Sequence, residues 1–304
     1  FIFLVWSYLL NFVLSNEPAK ATWQTFDKAN FPFSKWLPKN KSDSKAVLIG
    51  IHGFSGAASD FNNLGTYLSN QNISLYAYEL RGQGNDPDQS RVGDIASVEH
   101  WYKDLNSFIK KVHKEAGDAP IFLYGESLGS LVIMHGNSYL DESIKETIRG
   151  VIYASPLIAL PGELPPVKNF IVRLAMFLFP KMKISIKSLA SNQNAQVTSE
   201  TDHWEQMAKT PHFVPKYTLR TLGSIEDLVH SSKEVASRIT KPTLILYPGK
   251  DLFTRPDQVD KFFGNLKSKD KTKHLFKESH HLLAFDKERE RLFEIVEQWI
   301  NKRR

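Results

Sequence analysis

Pro120-Ile121-Phe122-Leu123-Tyr124-Gly125-Glu126-Ser127-Leu128-Gly129 is the stretch on which the reading of this chain turns. Its first half is an apolar run of strand character. Its second half is a G-x-S-x-G pentapeptide placed where a strand would turn sharply into a helix. Such a turn strains the serine backbone and lifts its hydroxyl clear of a sheet. The glycines fit because a Cβ at either position would collide with a neighbouring strand or helix. Alone the pentapeptide is a weak signal, since small residues gather in many loops. Its weight comes from the chain on either side.

Outward from this stretch, short apolar runs alternate with amphipathic ones. Residues 46–51, 74–80, 120–124, 150–154, 243–247 and 273–277 read as strands. Residues 61–68, 100–114, 128–140 and 289–300 read as helices. In the second of these Trp101, Leu105, Phe108 and Val112 recur at spacings of three and four. Short strands alternating with helices predict an α/β fold, a mostly parallel doubly wound sheet with helices on both faces. Two weaker strands, near 22–26 and 33–37, are expected to add an antiparallel pair.

The alternation breaks between residues 155 and 241. Residues 22–155 and 241–304 therefore read as the core and 156–240 as an insertion after the sixth strand. The insertion opens on Pro156, Pro161, Pro165 and Pro166. It continues through 169–179, where Arg173 is the only charged residue. This run reads either as a helix buried within the insert or as a lid helix whose outer face meets lipid or an acyl chain. Residues 188–201 are polar and read as a loop.

At the other end, residues 1–14 (FIFLVWSYLLNFVL) have only Ser7 and Asn11 as polar interruptions. That is short of the ~20 residues a bilayer crossing needs. Pro18 and Ala19-Lys20-Ala21 follow, and an apolar core before A-x-A is how a secretory signal ends. A retained membrane-tethering helix is the competing reading. Residues 1–21 are set apart from the fold on either reading, and the protein is expected to be exported (secreted or periplasmic) or membrane-associated.

Composition narrows the classes. A length of 304 residues suits one α/β domain with an insertion. Apolar and charged fractions of 41% and 24% are those of a globular protein with an ample core. The net charge of +6 is spread along the chain, and no zinc-finger or RNP signature accompanies it, so no nucleic-acid partner is expected. A solvated positive surface explains the charge, with an anionic lipid surface as the functional alternative. With no cysteine there are no disulfides, thiolate metal sites or cysteine nucleophile, although this leaves the compartment open. No His-x-x-x-His falls on a helix, and Asp86/Asp88 and Glu288/Glu290 lack a histidine partner, so no metal is expected. Arg81-Gly82-Gln83-Gly84 is too brief to cradle a phosphate and reads as a tight surface turn. No cofactor is implied.

A serine hydroxyl becomes a nucleophile when a histidine takes its proton and a carboxylate orients that histidine. In a doubly wound sheet these partners sit at the carboxyl ends of strands, in the order Ser, Asp or Glu, His. Asp251 follows one strand, in Leu244-Ile245-Leu246-Tyr247-Pro248-Gly249-Lys250-Asp251, and His280 and His281 follow the next. An Asx-turn role is the structural alternative for Asp251. Chemistry alone does not choose between the histidines. His281 is favoured because it opens an apolar entry into the last helix, leaving His280 as an exposed or structural neighbour. Two backbone N–H groups are needed for the oxyanion: Leu128, after the serine, and Phe54, in His52-Gly53-Phe54-Ser55-Gly56. His52 is read as a prop for that loop, and the remaining histidines as ordinary surface or core residues.

Together HGFSG at 52–56, ELRGQG at 79–84, YGESLGS at 124–130, ASPL at 154–157, PGKD at 248–251 and SHHLLAFD at 279–286 resemble the monoglyceride lipase and lysophospholipase branch of the α/β-hydrolases, a group that also holds serine-aminopeptidase-type folds. The resemblance runs from about residue 23 to residue 300. It implies Ser127 as nucleophile, Asp251 as orienting acid, His281 as base, Phe54 and Leu128 as oxyanion donors, and the insert as a cap over an acyl tunnel. Its expected substrates are single-chain acyl lipids such as monoacylglycerols or lysophospholipids, with a peripheral lipid contact through the cap. Two positions depart from the pattern: Ser130, where many relatives have glycine, and Glu126, where histidine is frequent. The rival readings are a peptidase or amidase, with Glu200, Asp202 or Glu205 holding a free amino terminus, and a non-catalytic lipid-binding homologue.

Overall fold

The computed structural model describes residues 18–160, 165–186, 198–199 and 212–304. The whole apolar stretch 1–14, most of the polar loop 188–201, and Glu200, Asp202 and Glu205 lie outside these.

In chain order the core runs β1 (Ala19–Gln24), β2 (Asn30–Trp36), β3 (Ala46–Ile51), α1 (Asn62–Asn70), β4 (Ile73–Tyr78), α2 (Glu99–Ala116), β5 (Ile121–Glu126), α3 (Leu128–Gly136), α4 (Glu142–Thr147) and β6 (Ile148–Ala154). The segment that follows carries α5 (Pro166–Leu178), β7 (Lys183–Ser185), β8 (Lys216–Thr218) and α6 (Leu219–Ala236). The chain then returns through β9 (Thr243–Pro248), α7 (Pro256–Asn265), β10 (Lys271–Phe276) and α8 (Arg289–Asn301). The eight-stranded sheet has the order β1-β2-β4-β3-β5-β6-β9-β10. In it β2 runs antiparallel to both of its neighbours, β1 and β4, and every other pairing is parallel. β7 and β8 form a separate antiparallel pair.

The apolar runs alternate between two cores, one on each face of the sheet. Val47, Ile49 and Ile51 pack with Trp101, Leu105 and Phe108 of α2 and with α3. Leu48, Phe122, Tyr124 and Leu246 pack on the other face with Leu64 and Leu68 of α1 and Val296 and Trp299 of α8. Strands buried on both faces show no polar alternation, which is why they read as continuous apolar runs.

Besides helices α4, α6 and α7, which the sequence reading lacked, three details differ from it. β1 begins at Ala19, inside the 1–21 stretch set apart from the fold, and Ala21 pairs with Phe33. The helix behind Ser127 ends as an α-helix at Gly136 and continues as a 3₁₀ turn to Tyr139. The turn at 81–84 is buried rather than on the surface, with Arg81 and Gln83 nearly inaccessible. Arg81 is held there by Asp104 and Asp27, at 2.9 and 2.8 Å, and buried charge persists only when paired in this way.

Candidate active site

Strand order creates the site. From β3 the chain leaves toward β4, and from β5 it leaves in the opposite direction, toward β6. The loops at the carboxyl ends of these adjacent strands diverge, and the crevice between them is where a doubly wound sheet binds ligands. The loop after β3 is His52–Gly56, and the turn after β5 carries Ser127.

Ser127 adopts φ 50° and ψ −113°, a conformation that side chains rarely take. Its N–H donates to Ala154 O at 3.0 Å. The glycines are explained by space. A Cβ on Gly129 would lie 2.0 Å from Ile51 O, and one on Gly125 would lie 2.6 Å from the Gly129 backbone. Ser130 uses its hydroxyl on Gly125 O at 2.7 Å, bracing the same turn.

The structure brings three side chains from three loops together. Ser127 Oγ lies 2.9 Å from His281 Nε2. His281 Nδ1 lies 3.0 and 3.1 Å from the two carboxylate oxygens of Asp251. Ser127 is 7% and His281 5% exposed, so this chain of polar groups is shielded yet reachable. Asp251 also accepts from Phe253 N at 2.9 Å, so the Asx-turn and the histidine contact coexist in one carboxylate. The ring of Phe253 meets the His281 ring edge-on, centroids 4.7 Å apart. Ser155, itself left-handed at φ 44°, donates to His281 O at 2.5 Å and anchors the histidine backbone. His280 is engaged elsewhere: its N–H and Nδ1 lie 2.8 and 3.1 Å from Asp286 Oδ2.

The loop after β3 is fixed by His52, which is fully buried. Leu80 N donates to His52 Nε2 at 3.0 Å, so that nitrogen carries no proton. The proton is on Nδ1, which donates to Gly53 O at 2.8 Å. Burial pushes the pKa of this histidine down to about 4, which suits a neutral, fixed tautomer. Gly56 N also donates to Gly53 O, at 3.1 Å. With its carbonyl held on that side, the trans Gly53–Phe54 peptide turns the Phe54 N–H to the other. A Cβ on Gly53 would lie 3.3 Å from Ser127 Cβ, so this peptide rests against the serine. Leu128 opens α3, where the first amides have no partner within the helix.

Beside this loop lies a group of buried acids. Burial raises the Glu126 pKa to about 8, with Asp60 adding to the effect, and burial raises Asp60 to about 7. Glu79 is likewise pushed by burial to about 7. Asp60 accepts from Ala57 N at 2.9 Å, and Glu79 accepts from Ala58 N at 3.2 Å and from Asn85 at 3.1 Å. The departure at Glu126 thus places a carboxyl that holds its proton next to the serine in sequence. Sequence reasoning missed Gln83, Ser155 and Tyr217, whose polar atoms reach the site loops. Only their place in the quoted segments marked the first two.

A doubly wound sheet that lifts a serine onto a histidine and carboxylate at its carboxyl crest is the plan of the α/β-hydrolases. Residues 42–288 match the family described as serine aminopeptidase, S33, and the chain belongs to that family. It is 25% identical over 300 residues to the monoglyceride lipase of Saccharomyces cerevisiae, covering 92% of each chain. It is 23% identical to a carboxylesterase of Bacillus subtilis, covering 86% of this chain and 94% of that protein. The crystal structure of a soluble variant of the Saccharomyces cerevisiae monoglyceride lipase, in complex with a substrate analog, superposes with a TM-score of 0.81. It is 21% identical, and the match covers 96% of this chain and 97% of that one.

Proposed function

We propose that this chain, a carboxylic ester hydrolase, acts through Ser127 on single-chain acyl lipids, monoacylglycerols first and lysophospholipids second. The observation that carries the serine chemistry is the linked chain from Ser127 Oγ to His281 Nε2 at 2.9 Å and from His281 Nδ1 to Asp251 at 3.0 Å. Ser127 Oγ attacks the ester carbonyl while His281 Nε2 takes its proton. The tetrahedral oxyanion is met by the Phe54 and Leu128 amides. As the carbon–oxygen bond to the alcohol breaks, His281 returns the proton to the leaving oxygen. Water, deprotonated by the same nitrogen, then attacks the acyl carbon; its bond to Ser127 Oγ breaks, the acid leaves, and His281 returns the proton to Oγ. Asp251 holds the tautomer that makes each transfer possible.

The acyl-lipid preference is supported by the monoglyceride lipases among the relatives and by the inserted segment. α5 leaves Phe170 68% and Phe177 81% exposed, with Ile171, Phe179 and Met182 exposed beside them. This disfavours the helix-buried reading of residues 169–179. A contiguous exposed apolar face of this kind marks an interaction surface, and we assign it to a peripheral contact with a lipid interface. Among the described residues no helix is long and apolar enough to cross a membrane.

Ser127→Ala is the primary test. Hydrolysis of a short p-nitrophenyl ester and of a monoacylglycerol is expected to fall by about 10⁶, with thermal unfolding preserved. Turnover persisting in the folded variant removes the serine reading. Faster turnover of aminoacyl-naphthylamides than of acyl-glycerols by the unaltered protein would replace the lipase with the aminopeptidase reading.

A further inference from the structure

Ser55 follows the proposed oxyanion donor directly, and its backbone is left-handed, φ 57°. A residue other than glycine keeps such a conformation only where its surroundings over-determine it. Ser55 N donates to Gln83 Oε1 at 2.9 Å. The Ser55 hydroxyl lies 3.1 Å from Tyr217 Oη and 3.2 Å from Val214 O. Tyr217 in turn donates to the same Gln83 Oε1 at 2.6 Å. Its ring stacks on Phe54, centroids 3.9 Å apart and planes 27° off parallel. Tyr217 has no accessible surface, and burial holds its phenol well above its ordinary pKa, so the donor keeps its proton.

Two of these groups, Val214 and Tyr217, come from the inserted segment, and Gln83 from the turn after β4. The segment is seated firmly there. Thr218 N donates to Gly93 O at 2.8 Å, Ile95 N to Thr221 Oγ1 at 2.9 Å, and Thr218 Oγ1 to Asp94 at 2.7 Å. His212 O lies so near Gly84 that a Cβ there would be 1.8 Å away. The turn that presents the Phe54 amide is therefore gripped from above by the insertion as well as from below by His52.

We infer that Tyr217 is a positioning residue: through Ser55 and Gln83 it fixes the peptide bearing the Phe54 N–H, so that the inserted segment completes the oxyanion site. This rests on the serine mechanism and the Phe54 assignment proposed above. It also predicts that any ligand or lipid contact that shifts residues 212–221 alters kcat without touching the serine, the histidine or the aspartate.

The test is Tyr217→Phe, which keeps the stack on Phe54 and removes the hydroxyl. Losing an entire oxyanion donor costs about 10²–10³ in kcat, so loosening one is expected to cost about tenfold. An interaction used only in the transition state leaves KM nearly unchanged, within about twofold. Inhibition by an alkyl trifluoromethyl ketone, whose serine adduct carries an oxyanion, should weaken by the same factor as kcat/KM. Gln83→Leu, which removes the shared acceptor, should reproduce the loss. Gln83→Glu should restore most of it, because Oε1 is the atom used and Nε2 has no partner among the described residues. Should Tyr217→Phe not fold, the two Gln83 variants decide alone. Wild-type kcat in the folded Tyr217→Phe or Gln83→Leu protein, or a loss confined to KM, overturns the inference. Ser127→Ala in the same assay separates the levels: if it is inactive while Tyr217→Phe is unaffected, only the positioning role fails; if it retains activity, the serine reading itself has failed.

Discussion

At the crest of the sheet, polar and ionisable side chains are buried and tied. His52, Glu126, Ser127, Asp251 and His281 sit out of water, and His52, Asp251 and His281 have both ends of their hydrogen-bonding chemistry assigned. On the inserted segment the relation is reversed: α5 holds Phe170 and Phe177 in solvent while its one charged side chain in that run, Arg173, pairs with Asp227 at 3.2 Å. Burying polar groups costs free energy unless every one is satisfied, and exposing a large apolar face forgoes the main driving force of folding. On the function proposed above, the first region serves the chemistry and the second the contact. Between the two stands Tyr217, on the insertion but buried like the crest.

The sharpest way to break the crest is through its two histidines, which the sequence placed side by side. His281→Ala should lower kcat by about 10⁶, as the loss of a base that acts as a unit with the serine does, and Asp251→Asn by about 10⁴. His280→Ala should cost less than tenfold, because His280 is bound to Asp286 and contacts neither Ser127 nor Asp251. Ester hydrolysis under saturating substrate, with thermal unfolding to show that each variant is folded, measures all three. Equal losses from His280 and His281 would mean that the histidine was misassigned.

Legibility in the sequence follows the same division. The strands were visible because parallel strands covered on both faces are uninterrupted apolar runs, and Ser127, Asp251 and His281 were visible because each follows such a run. α6 was not. Its inward positions, Ile225, Leu228, Val229 and Ser232, are thinned by polar neighbours, so the region read as a break in the pattern. The Thr218 side chain accepting from Thr221 N was the available start signal. The 81–84 turn misled for a different reason. Arg and Gln beside two glycines are surface composition, and only long-range partners, Asp27, Asp104, Ser55 and Tyr217, make that turn an interior one. Local pattern cannot encode partners that lie from 23 to 134 positions away.

The contact region breaks more gently. Phe170→Ser with Phe177→Ser removes two of the most exposed apolar side chains and touches no core. Hydrolysis of monoacylglycerol presented in anionic vesicles is expected to drop at least about tenfold, since the burial of a single aromatic ring contributes about 1.5–3 kcal/mol. Turnover of a water-soluble ester should be unchanged. Co-sedimentation with the vesicles should fall in parallel. A variant that still sediments and hydrolyses as before would assign that face to some other partner.

The smallest effect expected concerns the pH tolerance of the crest, and its sign follows from Glu126. Burial, with Asp60 adding to it, raises this carboxyl from 4.5 to about 8 in the folded chain. The folded state therefore holds a proton that the unfolded state releases near pH 4.5. The associated stability is complete below that pH and disappears as pH rises through about 8. Asp60 and Glu79, each raised to about 7, act in the same direction, while His52, lowered to about 4, acts at the acid end. Glu126→Gln replaces the titrating group by a neutral one of equal shape. The melting temperature of the unaltered protein should decline between pH 6 and pH 9, and that of the variant should decline less, by a few degrees across the range. Because Asp60 and Glu79 still titrate, the variant's curve flattens without becoming level. Parallel curves for the two proteins would mean that Glu126 is ionised in the folded state and that the crest tolerates a buried charge there.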